Sequence, residues 1–287
     1  PSVANEGGYI TQIATQLTGD NRNQIMVKDK SKLEALNLTE RDPKNPDGNW
    51  DYEQYTTEKG EVAYRTNPNK AVRIDEESSN YAMDAYKINI TSEDIQRLGL
   101  HHVFTNGMAN SNNEAINNQQ SQQANADAIL NYNPSHGGVA DMIQNIQDDV
   151  AVSLGVGNLG TGSARQTGET INQVTQANDG TAVASAHSQG TLMTQNGLDI
   201  YQKDLADAVQ SNADARFLVQ YSGSPVGGNK GGDLVMDIYG SRVHDKDFYI
   251  NNVYRSHTNP GDPVSIFLGG NSAGVNNQES YIDNFMY

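Results

Sequence analysis

The sequence contains no cysteine, which excludes disulfides, thiolate catalysis and cysteine-ligated metal and leaves the chain neutral about redox compartment. It has no apolar run approaching the about 20 residues of a membrane-spanning helix. Basic residues are scarce: 19 Lys and Arg against 35 Asp and Glu give a formal net charge of −16. Nucleic acid is therefore not expected as a partner, because phosphate binding draws on a basic surface. Charge alone gives no attraction to anionic membranes either, whereas a basic protein partner would suit this surface. No initiator Met and no basic-then-apolar leader precede Pro1-Ser2-Val3, so the chain reads as a piece of something longer.

What is present is neutral and polar. Hydrophobic residues make up 36% and charged residues 19%, so Asn, Gln, Ser, Thr and Gly dominate the loops, where Asn and Gly favour turns. At 287 residues the chain can bury one large α/β core or two smaller ones. Residues 1–95 read as an accessory α+β segment. Helical spacing is expected over Tyr9–Leu17 and a further turn over Lys32–Leu38. Alternation in Glu61–Arg65 and Lys70–Ile74 predicts a hairpin through Asn67-Pro68-Asn69. Ala85–Ile90 is a further strand, and Thr91-Ser92-Glu93-Asp94 opens a helix.

Residues 96–287 read as one α/β domain with a mostly parallel sheet flanked by helices, because strands and helices alternate from His101 onward. The expected strands are His101–Asn106, Ala128–Tyr132, Thr181–Ala186, Arg216–Tyr221 and Phe248–Tyr254. Between them fall a polar helix or loop (Ser111–Ala126) and a helix burying Val139, Met142, Ile143, Ile146 and Val150. A Gly-rich turn (Gly155–Gly162), a helix over Ala164–Asn178 and a long helix with Leu192, Leu198, Tyr201, Leu205 and Val209 on its core face follow.

The pentad Ala186-His187-Ser188-Gln189-Gly190 lies between a predicted strand and a predicted helix. A nucleophile elbow holds its Ser in a strained turn, so the residues two positions either side must be small, as Ala186 and Gly190 are. The Gln189 N–H and the helix start then face a developing oxyanion. The alternative is an ordinary helix-capping Ser. A second oxyanion donor is expected from the loop around Gly107 and Met108, although Gly107 also suits a plain turn. In the chain order Ser, acid, His, Asp262 occupies the acid's place in Asn259-Pro260-Gly261-Asp262-Pro263, where a turn-forming Asp is the other possibility. Carboxylates are plentiful, but no run has EF-hand spacing, and neither metal nor cofactor is expected.

These segments resemble the Ser elbow and acid loop of lipases and related α/β-hydrolases. Tyr221-Ser222-Gly223-Ser224-Pro225 is similar to the Gly-Ser-Pro segment after the next strand of that group. Val103–Met108 and Tyr132–Gly137 resemble lipase-like C-terminal domains of filamentous-haemagglutinin-type polymorphic toxins. The resemblance covers about residues 101–270. It implies an ester hydrolase with membrane phospholipid among its targets and transient membrane contact. It further implies a toxin of contact-dependent growth inhibition, secreted or held at a bacterial surface, delivered into target cells and neutralised by a cognate immunity protein.

The pattern breaks at the base. No His follows Asp262, and the six histidines are 101, 102, 136, 187, 244 and 257. His101 and His102 read as structural, His187 as a packing residue and His244 as surface. His257, five residues before Asp262 at a strand end, is the preferred substitute, with His136 the other. A base outside this piece, a replaced base and an inactive hydrolase-fold binding or delivery module remain alternatives, since an unassisted Ser hydroxyl is a poor nucleophile.

Overall fold

The strands are β1 (Arg22–Val27), β2 (Tyr52–Thr56), β3 (Val62–Thr66), β4 (Ala71–Ile74), β5 (Lys87–Ile90), β6 (His102–Thr105), β7 (Ala128–Tyr132), β8 (Ala182–His187), β9 (Phe217–Ser222) and β10 (Tyr254–His257). The helices are α1 (Ser31–Glu34), α2 (Ser92–Leu98), α3 (Asn112–Gln122), α4 (Gly162–Ala177), α5 (Gln189–Ile200), α6 (Gln202–Ser211) and α7 (Gly228–Tyr239). The computed structural model describes residues 22–57, 60–75, 87–107, 112–122, 127–133, 147–148, 151–152, 154, 157, 160–224, 226, 228–242 and 253–257, with the backbone alone at 119–122, 228–229 and 257. The expected helix over Tyr9–Leu17 and the expected buried stripe Val139, Met142, Ile143, Ile146 and Val150 lie outside these residues.

Among the described residues, all the strands belong to one ten-stranded sheet, ordered β10-β9-β8-β6-β7-β1-β3-β2, with β4 paired to β1 and β5 to β4. From β10 to β7 the neighbours are parallel, whereas β1 runs antiparallel to β7. The fold is α/β, with a mostly parallel central sheet flanked by helices. Both faces of the sheet are covered, as alternation along the central strands requires. Ile25, Val27, Val103 and Ile129 enter one large core, and Met26, Phe104 and Leu130 enter a second with Ala115 and Ile116 of α3.

The sheet crosses the boundary read at residue 95, since β1 lies between β7 and β3. A buried polar network pins this junction. Asn131 Nδ2 donates to Asn23 Oδ1 (2.8 Å), Asn23 Nδ2 to Thr170 Oγ1 (3.0 Å) and Thr167 Oγ1 to Asn131 Oδ1 (2.9 Å). A one-residue slip of β1 would strand these groups without partners inside the protein, so the network specifies register.

The predicted hairpin is corrected. β3 and β4 are both strands, but they do not pair with each other. They follow one another along β1, with Met26 opposite Arg65 and Asn23 opposite Val72. Asn67 Oδ1 accepts from Asn69 N (2.9 Å), Asn67 Nδ2 donates to Trp50 O (3.0 Å), and Lys70 Nζ meets Asp51 at 2.7 Å. That turn carries the chain onward along β1 instead of reversing it. The helix start at Thr91 is as expected: Thr91 and Asp94 form a reciprocal capping box, and Gly99 (φ 65°) closes α2.

The single long helix expected after Ser188 is two helices, broken at Tyr201 (φ −100°, ψ 13°), with Leu192, Leu198, Leu205 and Val209 all buried as anticipated. Of the strand expected over Phe248–Tyr254, residues 248–252 lie outside the described residues, and β10 runs from Tyr254 to His257. Helix α7 was not anticipated, because Gly228, Gly231 and Gly232 dilute its spacing. Gly231 is required there, as a Cβ would collide with the Tyr254 ring.

Helices α4 and α5 touch through backbone. A Cβ on Gly168 would collide with the Gly197 carbonyl, and one on Gly197 would sit 2.6 Å from Gly168 N. Gly168→Ala is therefore expected to destabilise by about 2 kcal/mol despite alanine's better helix propensity, because backbone cannot rotate aside as a side chain can. Urea denaturation measures it, and an unchanged midpoint would mean the helices separate freely.

Candidate active site

The strand order reverses between β6 and β8. From β6 the chain goes to β7 on one side, and from β8 to β9 and β10 on the other. In open α/β sheets such a switch point leaves a crevice beyond the carboxyl ends of the strands, where ligands bind. Ser188 follows β8 and Asn106-Gly107 follows β6 at this edge, where Thr105 is in register with Ala186.

Ser188 has φ 53° and ψ −126°. The other non-glycine residues with positive φ among the described residues are Asn37, Asp75 and Asp179, types that tolerate left-handed backbone. Ser does not share that tolerance, and its ψ lies outside the left-handed helical region. Its backbone is clamped on both sides. Ser188 N donates to Ser222 O (2.9 Å), and its carbonyl accepts from Thr191 N (3.0 Å) and Thr191 Oγ1 (2.7 Å). The side chain makes no capping bond to α5 and is partly exposed. A helix-capping Ser would have extended backbone and a bonded hydroxyl; Ser188 has neither.

Of the two small neighbours, Gly190 is required by contact. A Cβ on Gly190 would lie 2.5 Å from the carbonyl oxygens of Thr105 and Asn106, so α5 begins pressed against the end of β6. Ala186 is fully buried. A Cβ on Gly107 would lie 2.7 Å from Ser188 Cβ and 2.9 Å from His187 O, which places this loop directly against the elbow. The ring of His187 lies beside Gly107, its Nδ1 3.3 Å from that Cβ position.

Two supports were given no role from sequence. Asn106, fully buried, donates from Nδ2 to Gly107 O (2.9 Å) and Asn133 O (2.9 Å) and accepts at Oδ1 from Asn133 N (2.7 Å). Ser224 Oγ donates to Thr191 Oγ1 (3.0 Å) and accepts from Val226 N (3.0 Å), tying the elbow to the loop after β9. No short-range pattern marks Asn106, which acts across strands, whereas Ser224 lies in the Gly223-Ser224-Pro225 segment noted in the sequence. Deeper in, Tyr221 Oη donates to Gln195 Oε1 of α5 (3.1 Å) and packs edge-on against Tyr254, and burial pushes its phenol well above the usual range.

Of the sequence-predicted residues, Ser188, Gln189 and Gly107 come together, with Gln189 fully buried at the first turn of α5. His257 ends β10 in register with Ser222, itself in register with His187. Its backbone therefore lies on the same edge, two strand spacings or roughly 10 Å from that of His187. Met108, Asp262, His136 and His244 lie outside the described residues. His101 and His102 are at the amino end of β6, the opposite edge of the sheet, and burial together with Lys32 holds the His101 pKa below its ordinary value. Among the described residues no three His, Asp or Glu side chains cluster as metal ligands would. No protein-family model, curated protein or solved structure matches the chain.

Proposed function

We propose that the protein is a serine ester hydrolase of α/β-hydrolase type with Ser188 as nucleophile. The observation that carries this reading is the backbone of Ser188, an unfavourable conformation held by bonds on both sides at a strand-to-helix turn, in a partly exposed residue whose hydroxyl makes no cap bond to the helix. The switch-point position and the contact of Gly107 with the elbow support it.

In this reading the base takes the Ser188 proton as Oγ attacks the acyl carbonyl. The N–H of Gln189, at the positive end of α5, and the N–H following Gly107, that of Met108, receive the oxyanion. The alcohol leaves with the proton from the base, and water then cleaves the acyl-enzyme. His257 is the proposed base on its place at the end of β10, with Asp262, five residues on, as its orienting acid. The resemblance extends the proposal to phospholipid substrates and to a toxin delivered into bacterial cells. The net charge of −16 favours a basic face on a cognate immunity protein.

Fluorophosphonate labelling with mass-spectrometric location of the adduct tests the reading. The adduct is expected on Ser188, absent in Ser188→Ala, and lost in His257→Ala. Ester turnover in Ser188→Ala should fall at least about 10³-fold. A folded protein that never labels would instead favour a hydrolase fold used for binding. Labelling that survives His257→Ala would move the base elsewhere.

A further inference from the structure

We infer that Ser224, acting through Thr191, is a positioning residue for the nucleophile, an inference that rests on the Ser188 reading above. The unfavourable backbone of Ser188 is held at two points, and both lead to one short segment at the end of β9. On the amino side, Ser188 N donates to Ser222 O (2.9 Å). On the carboxyl side, Ser188 O accepts from Thr191 Oγ1 (2.7 Å), which accepts from Ser224 Oγ (3.0 Å), which in turn accepts from Val226 N (3.0 Å). Gly223, at φ 56°, lies between the two anchors.

The ends of that chain fix its direction. A backbone N–H only donates, a carbonyl only accepts, and each hydroxyl between them carries one proton. The Val226 N–H therefore turns the Ser224 hydroxyl toward Thr191, and Ser224 turns the Thr191 hydroxyl toward Ser188 O. Thr191 and Ser224 are both buried, so water does not stand in for either one, and the bonds polarise one another in the low-dielectric interior. The consequence falls on the Ser188 backbone. With its N–H held by β9 and its carbonyl held by the chain, neither φ nor ψ relaxes from 53° and −126° without breaking a bond. The Cα–Cβ bond, and with it the nucleophile, keeps its direction. A Thr hydroxyl bonded back into its own helix is ordinary. One gripped from the loop after a neighbouring strand, at the carbonyl of a strained Ser, ties the nucleophile to β9 as well as to α5.

The test separates placement of Ser188 from general damage. Wild type, Thr191→Val, Thr191→Ser, Ser224→Ala and the Thr191→Val, Ser224→Ala double variant are compared. The readouts are the rate of fluorophosphonate labelling at Ser188, kcat and KM on a soluble ester, and thermal unfolding. Thr191→Val keeps the shape and removes the hydroxyl. It is expected to slow labelling about 10- to 100-fold, the scale of loss when a reacting group is misplaced by about 1 Å, with kcat lowered alike and KM little changed. Thr191→Ser keeps the hydroxyl and should label near the wild-type rate. Ser224→Ala should slow labelling less than Thr191→Val does. The double variant should be no slower than Thr191→Val, because one chain is broken only once. Additive losses, a Thr191→Ser variant as slow as Thr191→Val, or an unchanged labelling rate with a lowered melting temperature would overturn the inference and leave the Ser188 reading intact. If Thr191→Val does not fold, Ser224→Ala decides: slower labelling at unchanged KM supports the inference, and an unchanged rate overturns it. A folded wild type that neither labels nor turns over the ester would overturn both.

Discussion

Ser188→Gly is expected to abolish fluorophosphonate labelling and yet raise the free energy of unfolding by about 1 kcal/mol. Residues held in a sparsely populated backbone region cost on the order of 1–3 kcal/mol, and Ser188 sits at φ 53°, ψ −126°. Glycine adopts that conformation without a Cβ clash. Against the gain stands the greater freedom of glycine in the unfolded chain, about 0.5–1 kcal/mol, and the difference leaves a net stabilisation. Ser188→Ala keeps the Cβ and so keeps the strain, and it should lose labelling with no gain in stability. Urea titrations of the three proteins, compared at unchanged slope, decide the matter. If Gly is no more stable than Ala, the turn stores no strain at this residue. If both predictions hold, stability has been traded for a Ser held in a strained turn, which a merely structural turn has no reason to do.

Asp148→Asn should stabilise the protein by about 3 kcal/mol at pH 8 and change little near pH 4. Asp148 is fully buried. Burial raises its pKa from the ordinary 3.8 to about 6, against the lowering effect of hydrogen bonds from Thr161 and Asn196. Its Oδ1 accepts from Thr161 N (2.8 Å) and Asn196 Nδ2 (3.3 Å), and its Oδ2 from Thr161 Oγ1 (3.1 Å). A raised folded-state pKa means that the folded chain holds the proton more tightly than the unfolded chain. The favourable contribution is complete below pH 3.8 and is lost as pH rises through about 6. A shift of this size corresponds to about 3 kcal/mol. Asn has the shape and hydrogen-bonding pattern of the neutral carboxyl, so the variant should match wild type in acid and diverge through the window from about pH 4 to 6. Parallel stability curves across that window would show that Asp148 is not held protonated by the fold. The consequence is local: Thr161 caps α4 through Ala164 N (3.2 Å), and Asn196 Nδ2 also donates to the Asp148 carbonyl (3.0 Å). The carboxyl therefore ties the approach to α4 onto α5.

Much of the candidate site was legible because its signals are local. An elbow needs a small residue two positions before and after its Ser; Ala186 is buried, and Gly190 sits where a Cβ would meet the Thr105 and Asn106 carbonyls. The proposed base, His257, was picked from its strand-end place before Asp262, but spacing alone could not say which chain ends converge at one edge. The register of β10 brings the backbone of His257 to that edge, a fact of strand order and not of spacing. Asn106 was read as a mere strand end because its partner Asn133 lies 27 residues on.

The sequence by itself determined strands β6 to β9, helices α3 and α4, the capped start of α2 at Thr91, and the buried face of the chain from Leu192 to Val209. Those features follow from periodicity and capping, which act over a few residues. Only the tertiary structure decided that β3 and β4 follow one another along β1 instead of pairing, and that β1 joins the parallel strands through Asn23, Asn131 and Thr170. It alone also broke the helix at Tyr201 and buried the carboxyl of Asp148. Alternation says which face of a strand is apolar but not which strand lies beside it, and burial of a polar side chain depends on partners distant in sequence.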